Sequence, residues 1–208
     1  MKEKMKKVLV ILAGLFVIVN SFTACGNSGA EAGLNGTITL NGSTSMNKLA
    51  NALKEGYMTA NPGVTVNVEF TGSGTGIQAA IDGTADIGNS SRALKDEELS
   101  AGLIENIVAI DGIAIITNKD VAVKDVTSEQ LAKIYKGEIK NWKELGGEDA
   151  PIVVVGRESG SGTRGAFEEL LKVEDECVYA QEIDSTGGVL STVANTPGAI
   201  GYISLDVI

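Results

Sequence analysis

Ile152-Val153-Val154-Val155-Gly156-Arg157-Glu158-Ser159-Gly160-Ser161-Gly162-Thr163-Arg164 runs almost directly into Ala166-Phe167-Glu168-Glu169-Leu170-Leu171. The apolar run predicts a strand, the Gly/Ser/Thr stretch a turn, and the mixed run after it a helix. A strand that passes to a helix through such a turn gathers backbone N–H groups and hydroxyls at the helix N-terminus. That is a place to hold an oxyanion, with Arg157 as the countercharge.

The same unit recurs on either side. Thr37-Ile38-Thr39-Leu40 reads as a strand ending at Asn41-Gly42-Ser43-Thr44-Ser45. A helix follows, with Met46, Leu49, Ala50, Leu53 and Tyr57 at helical spacing, and Asn61-Pro62-Gly63 stops it. Val64, Val66, Val68 and Phe70 alternate with polar residues as a strand does, up to Thr71-Gly72-Ser73-Gly74-Thr75-Gly76 and a second helix. Ala85-Asp86-Ile87-Gly88 leads into Asn89-Ser90-Ser91-Arg92, then into a helix over residues 96–103. Residues 107–117 are strongly apolar without alternation, which predicts a central strand or one crossing between lobes.

The pattern then starts afresh. Thr127-Ser128-Glu129-Gln130 fits a capping box for a helix that Gly137 closes. The only Trp, Trp142, sits in a loop and is expected to be a packing anchor. A strand over residues 181–183, the turn Ser185-Thr186-Gly187-Gly188, a helix to about Ala194 and a strand over residues 199–203 complete the sequence. Strands alternating with helices define an α/β protein with largely parallel sheets. Ligands of such sheets bind beyond the carboxyl ends of the strands, where the Gly/Ser/Thr turns fall.

Hydroxyls donate to an oxyanion without adding charge, and Gly lets N–H groups approach closely. The candidate donors are Ser43-Thr44-Ser45, Ser73-Gly74-Thr75, Ser90-Ser91 and Ser161-Gly162-Thr163. Singly, each is an ordinary helix-capping turn; at equivalent topological positions together they indicate one shared anion. Arg157 could instead pair with Glu158 or Glu169, and Arg92 and Arg164 could decorate helix starts. The stretch 72–77 lacks the last Gly of a dinucleotide fingerprint, and 156–163 lacks the Lys of a P-loop. With no His in the chain and no nucleophile elbow, a serine hydrolase is disfavoured, and a zinc site has almost no ligands to draw on. No catalytic residue, cofactor or metal is expected.

The chain opens with Lys2, Lys4, Lys6 and Lys7 before an apolar run over residues 8–19, too short for an ordinary membrane span. Phe22-Thr23-Ala24-Cys25-Gly26 is similar to a bacterial lipobox, with Phe22 where Leu is usual. Residues 1–24 are therefore expected to be a signal peptide, Cys25 the lipidated residue, and 25–35 a flexible tether. Cys177 then has no disulfide partner and reads as a small hydrophobe. The whole chain carries −10 at pH 7, and losing residues 1–24, with their four Lys and one Glu, leaves a still more acidic remainder. That argues against nucleic acid and anionic lipid as partners, and makes any anion site depend on short-range hydrogen bonds.

Jointly, Gly42-Ser43-Thr44-Ser45, Gly72-Ser73-Gly74-Thr75-Gly76, Ala85-Asp86-Ile87-Gly88-Asn89-Ser90-Ser91-Arg92, Arg157-Glu158-Ser159-Gly160-Ser161-Gly162-Thr163 and Pro197-Gly198-Ala199-Ile200-Gly201-Tyr202 resemble the phosphate-binding lipoproteins of phosphate ABC transporters, the PstS family. The resemblance implies a periplasmic-binding-protein fold of type II, two α/β lobes joined by a hinge. Lobe I would comprise residues 36–117, with 196–208 returning to it, and lobe II residues 118–195. It implies phosphate binding by Thr44, Ser45, Ser73, Ser91, Arg157, Ser161, Gly162 and Thr163, transfer to permease subunits, and a lipid-anchored monomer on the extracytoplasmic face. Many members carry Asp at the position of Ser91, to accept the proton of hydrogen phosphate and reject sulfate. Members also continue beyond Gly201-Tyr202 with elements completing lobe I, so a truncated chain is expected here. Two other readings stand beside this one: a receptor for sulfate, molybdate or another tetrahedral oxyanion, and an anchored phosphatase or esterase.

Overall fold

The computed structural model describes residues 33–207. The signal peptide, Cys25 and most of the tether lie outside them. The first half is wound as β1 (Asn35–Gly42), a 3-10 turn (Thr44–Met46), α1 (Asn47–Ala60), β2 (Gly63–Phe70), α2 (Ser73–Ile81), β3 (Ile87–Asn89) and α3 (Asp96–Ser100). Its three strands are parallel, in the order β2-β1-β3. β1 is therefore central, and all three strands deliver their carboxyl ends to one edge.

The second half comprises β4 (Ile113–Thr117), α4 (Ser128–Tyr135), a 3-10 turn (Trp142–Leu145), β5 (Val153–Arg157), α5 (Gly162–Leu171), β6 (Gln181–Ile183), α6 (Thr186–Asn195) and β7 (Ala199–Ser204). These strands form a second sheet in the order β4-β7-β5-β6, with only β4 antiparallel to its neighbour. The α/β class and the two-sheet architecture are those expected from the sequence.

The capping box forms as read: Thr127 N–H donates to Gln130 Oε1 at 2.8 Å, and Gln130 N–H to Thr127 Oγ1 at 3.2 Å. Gly137 ends that helical stretch at a φ of +69°, left-handed backbone that costs glycine least.

Packing is deepest around the second sheet. β7 is buried throughout, and its alternation splits it between two clusters. Ile200 and Tyr202 join Leu131, Ile134, Tyr135, Trp142, Val154 and Phe167 on one face. Ala199 and Ile203 join Val155, Val189 and Val193 on the other. Trp142 is the anchor expected of it, with its indole N–H donating to Gly198 O at 2.9 Å. Cys177 packs against the first cluster, and burial pushes its thiol up to about 11, consistent with a small inert hydrophobe.

The structure differs from the sequence pattern in three places. Strand pairing places β4 and β7 in the second sheet, whereas the sequence reading gives residues up to 117, and the return at 196–208, to the first lobe. β7 sits between β5 and β4 with both edges and both faces satisfied there, and only the closing turn Leu205–Val207 lies against Thr44–Met46 and α1. The run 107–117 is strand only from Ile113, because its partner β7 ends at Ser204, opposite Ile113. Ahead of it Ile104, Ile107, Val108 and Ile110 are exposed, Ile110 at 96 %. Finally, α1 turns Ala50 inward but leaves Leu53 and Tyr57 exposed, so its covered face is rotated from the apolar stripe.

Candidate functional site

The three carboxyl ends of the first sheet are knotted together by backbone. Gly42 has a φ of +150°, and a Cβ there would stand 2.0 Å from Asn89 O, so only glycine lets β1 and β3 close this tightly. Ser43 N–H donates to Asn89 O, while Thr71 N–H and Gly72 N–H both donate to Gly42 O, each at 2.9 Å. The hydroxyls that follow each strand are thereby brought into contact. Ser43 Oγ donates to Ser91 Oγ at 2.9 Å and lies 2.8 Å from Ser45 Oγ, within hydrogen-bond distance. Ser91 N–H donates to Ser73 Oγ at 3.1 Å, and the Ser73 and Ser91 hydroxyls are 3.4 Å apart. Ser43, Ser45 and Ser73 are buried polar residues linked through one another and through Ser91.

In the second half Arg157 is the last residue of β5 and is only 2 % exposed. Its guanidinium is held on every side. Nε donates to Glu158 Oε2 at 2.8 Å and Ile183 O at 3.1 Å, Nη2 to Glu158 Oε1 at 2.9 Å, and Nη1 to Thr186 Oγ1 at 2.9 Å. The two alternatives left open for Arg157 thus coincide, since it pairs with Glu158 and is buried among the candidate donors. Its backbone is clamped as well: N–H donates to Tyr202 OH at 3.2 Å, and its carbonyl accepts from Arg164 Nη1 at 3.0 Å. Burial pushes the Tyr202 phenol up to about 12, so it stays a neutral hydroxyl against that N–H. Ser161 caps α5 by accepting from Arg164 N–H at 3.3 Å. That leaves Gly162 and Thr163 in the first turn, where N–H groups have no partner within the helix.

The two halves meet at these turns. Gly74 N–H donates to Gly160 O at 2.9 Å. Ser91 Oγ lies 3.4 Å from Thr163 Oγ1, and Thr44 Oγ1 lies 3.0 Å from Thr186 Oγ1. A Cβ on Gly162 would stand 2.3 Å from Ser73 Oγ and 2.7 Å from Ser91 Oγ, which makes Gly162 the point of closest approach. Thr44, Ser45, Ser73, Ser91, Arg157, Ser161, Gly162 and Thr163, far apart in sequence, therefore share one cluster.

Arg92 and Arg164 do not join it. Arg92 makes a two-pronged pair with Glu98 at 2.7 and 2.8 Å, and Arg164 pairs with Glu168 at 2.8 Å and lies over the Tyr179 ring. Asp86 accepts from Thr39 N–H and Thr39 Oγ1, both at 2.8 Å, which holds its carboxyl below the usual range as a structural contact. Sequence reasoning missed Thr186. Its signal was present, a strand, a Ser-Thr-Gly-Gly turn and a helix start, but no charged residue singled it out.

The PBP superfamily domain matches residues 27–207 of this chain. Phosphate-binding protein PstS of Bacillus subtilis is 36 % identical over 217 residues, covering 98 % of this chain and 72 % of that protein. The chain belongs to the PstS family. A second PstS, from Borreliella burgdorferi, is 32 % identical over 97 % of this chain and 73 % of its own length. A Clostridium perfringens protein assigned to phosphate ABC transporters, solved with bound phosphate, is 47 % identical with a TM-score of 0.79 over 83 % of this chain and 72 % of that one. A phosphate transport receptor of Vibrio cholerae follows at 37 % identity and a TM-score of 0.66 over 83 % of this chain and 73 % of that one. These PstS relatives are substrate-binding proteins, and the α/β fold is common ground with them.

Proposed function

We propose that this PstS-family chain captures inorganic phosphate outside the cytoplasm and delivers it to the permease of an ABC transporter. The observation that carries the reading is the convergence of Gly/Ser/Thr turns from both sheets around one buried guanidinium. A tetrahedral oxyanion accepts hydrogen bonds in many directions, and neutral hydroxyls and N–H groups meet them without a surplus of charge. That suits a chain of net charge −10, whose acidic surface repels anions at long range. Capture without chemistry fits the donor set, because the cluster holds no His and its one arginine is fixed in place by Glu158 and Thr186 while Nη1 keeps a second N–H for a ligand. In this reading Thr44, Ser45, Ser73, Ser91, Arg157, Ser161, Gly162 and Thr163 bind the anion, residues 1–24 direct export, and Cys25 carries the lipid that keeps a monomeric receptor at the membrane.

Sulfate is the competitor to test, because Ser91 offers a hydroxyl rather than a carboxylate. Calorimetric titration of the purified protein with phosphate, then with sulfate, is expected to show saturable one-to-one phosphate binding that excess sulfate does not displace. No phosphate binding would refute the function, and equal competition would make the protein a general oxyanion receptor.

A further inference from the structure

Thr186 is 1 % exposed and opens α6, a helix of ten residues. Its hydroxyl does not serve that helix, since Ser185 is the cap and its Oγ accepts from Gly188 N–H at 3.3 Å. Instead it stands between two residues of the anion cluster. Oγ1 accepts from Arg157 Nη1 at 2.9 Å and lies 3.0 Å from Thr44 Oγ1, while Thr186 N–H donates to the same Thr44 oxygen at 3.3 Å. Arg157 ends a strand of the second sheet and Thr44 follows a strand of the first, so the Thr186 side chain bridges the buried charge and the first strand's turn.

A hydroxyl has one proton and two lone pairs. Thr186 Oγ1 spends one lone pair on Arg157, and Thr44 Oγ1 spends one on the Thr186 N–H. Two arrangements of the remaining bond are then open. If Thr186 donates, Thr44 has both lone pairs filled and its own proton free. If Thr44 donates, its remaining lone pair faces outward. An anion beside Thr44 selects the first and is repelled by the second. The guanidinium adds to the preference, because a hydroxyl that accepts from a cation becomes a better donor.

Resting on the phosphate-binding reading above, we infer that Thr186 is a positioning residue of the anion site: it relays Arg157 to Thr44 across the cleft, aims the Thr44 proton at the bound anion, and so couples anion capture to the approach of the two halves. The relay runs from Arg157 Nη1–H to Thr186 Oγ1–H to Thr44 Oγ1–H.

The test is calorimetric titration of the full chain with inorganic phosphate, on Thr186→Val, Thr186→Ser, Thr44→Val and the double Thr44→Val/Thr186→Val. Thr186→Val keeps the shape and removes the relay, so phosphate affinity is expected to fall about tenfold, the scale of one hydrogen bond lost beside a charge. Thr186→Ser restores the hydroxyl and is expected to bind within about twofold of the parent. The double variant is expected to bind no worse than the weaker single one, because both substitutions cut the same relay. Thr186→Ala reads the same loss should Thr186→Val not fold. Parental affinity in Thr186→Val, equal weakness in Thr186→Ser, or losses that add in the double variant would each overturn the inference while leaving phosphate capture intact. A parent protein that binds no phosphate would overturn both together.

Discussion

Arg157 is the residue on which the site turns, and its environment states what removing it does. The guanidinium is the only cation in the cluster, nearly inaccessible, and bonded to Glu158, Thr186 and the Ile183 carbonyl. Arg157→Ala strips a bound anion of its countercharge and leaves Glu158 beside it unpaired, so phosphate binding is expected to weaken by about 2–5 kcal/mol, read by calorimetry. Unchanged affinity would remove Arg157 from the site. Ser91 decides a different quantity. Hydroxyls of Ser43, Ser73 and Thr163 surround its Oγ at 2.9, 3.4 and 3.4 Å, and each can turn a proton toward a carboxylate placed there. Ser91→Asp is therefore expected to fold, to accept the proton of hydrogen phosphate, and to repel an anion without one. The ratio of phosphate to sulfate affinity should rise by about tenfold; an unaltered ratio would mean that Ser91 does not face the anion. Single residues were legible in the sequence where a turn combined hydroxyls with charge or with a family motif. Thr186 had neither, and only its contact with Arg157 reveals it.

Elements deliver those residues, and the short loop after β3 shows how. Residues 90–95 carry Ser91 and have little regular structure, yet they are pinned by Arg92, whose guanidinium grips Glu98 in α3, while Glu98 Oε2 also accepts from Lys95 N–H at 2.8 Å. The hydrogen bonds from Arg92 hold the Glu98 carboxyl down to about 2, against 4.5 for a free glutamate. A carboxyl depressed on folding contributes stability that is complete above its unfolded value and disappears as pH falls through its folded one. Part of the acid loss of stability between about pH 5 and pH 2 is therefore assigned to Glu98. Thermal melts across that range should lose less stability in Glu98→Gln than in the parent, with the variant weaker at pH 7; parallel curves would contradict the assignment. The existence of most elements was plain from periodicity and turn chemistry. Their extent was not: a run of apolar residues over 107–117 looks like one strand, but strand exists only where a partner does, and β7 offers one from Ile113. Likewise the stripe on α1 gives helical spacing without saying which side of the stripe a sheet covers.

Across the whole molecule, the proposed capture of an anion depends on two sheets meeting at a few atoms. The pairing that puts β4 and β7 in the second sheet could not be read from the sequence, because an apolar strand does not record which edge it joins. Besides the closing turn Leu205–Val207, which lies on Thr44–Met46 and α1, the halves touch through site turns: Gly74 to Gly160, Thr44 to Thr186, Ser91 to Thr163, and Gly162 against Ser73. Gly162 is the tightest of these. It lies in the first turn of α5, where alanine is welcome for the helix itself. Yet its Cβ would stand 2.3 Å from Ser73 Oγ and 2.9 Å from Ser73 Cβ, and a serine side chain is too short to swing clear. Gly162→Ala should then leave each half folded and wedge the two apart. Phosphate affinity is expected to fall at least about tenfold, since donors from one side no longer reach an anion held by the other. Small-angle scattering should also show no contraction of the variant on adding phosphate, where the parent contracts. A Gly162→Ala protein with parental affinity and parental contraction would show that the anion is held by one half alone, and that the meeting of the turns has no part in capture.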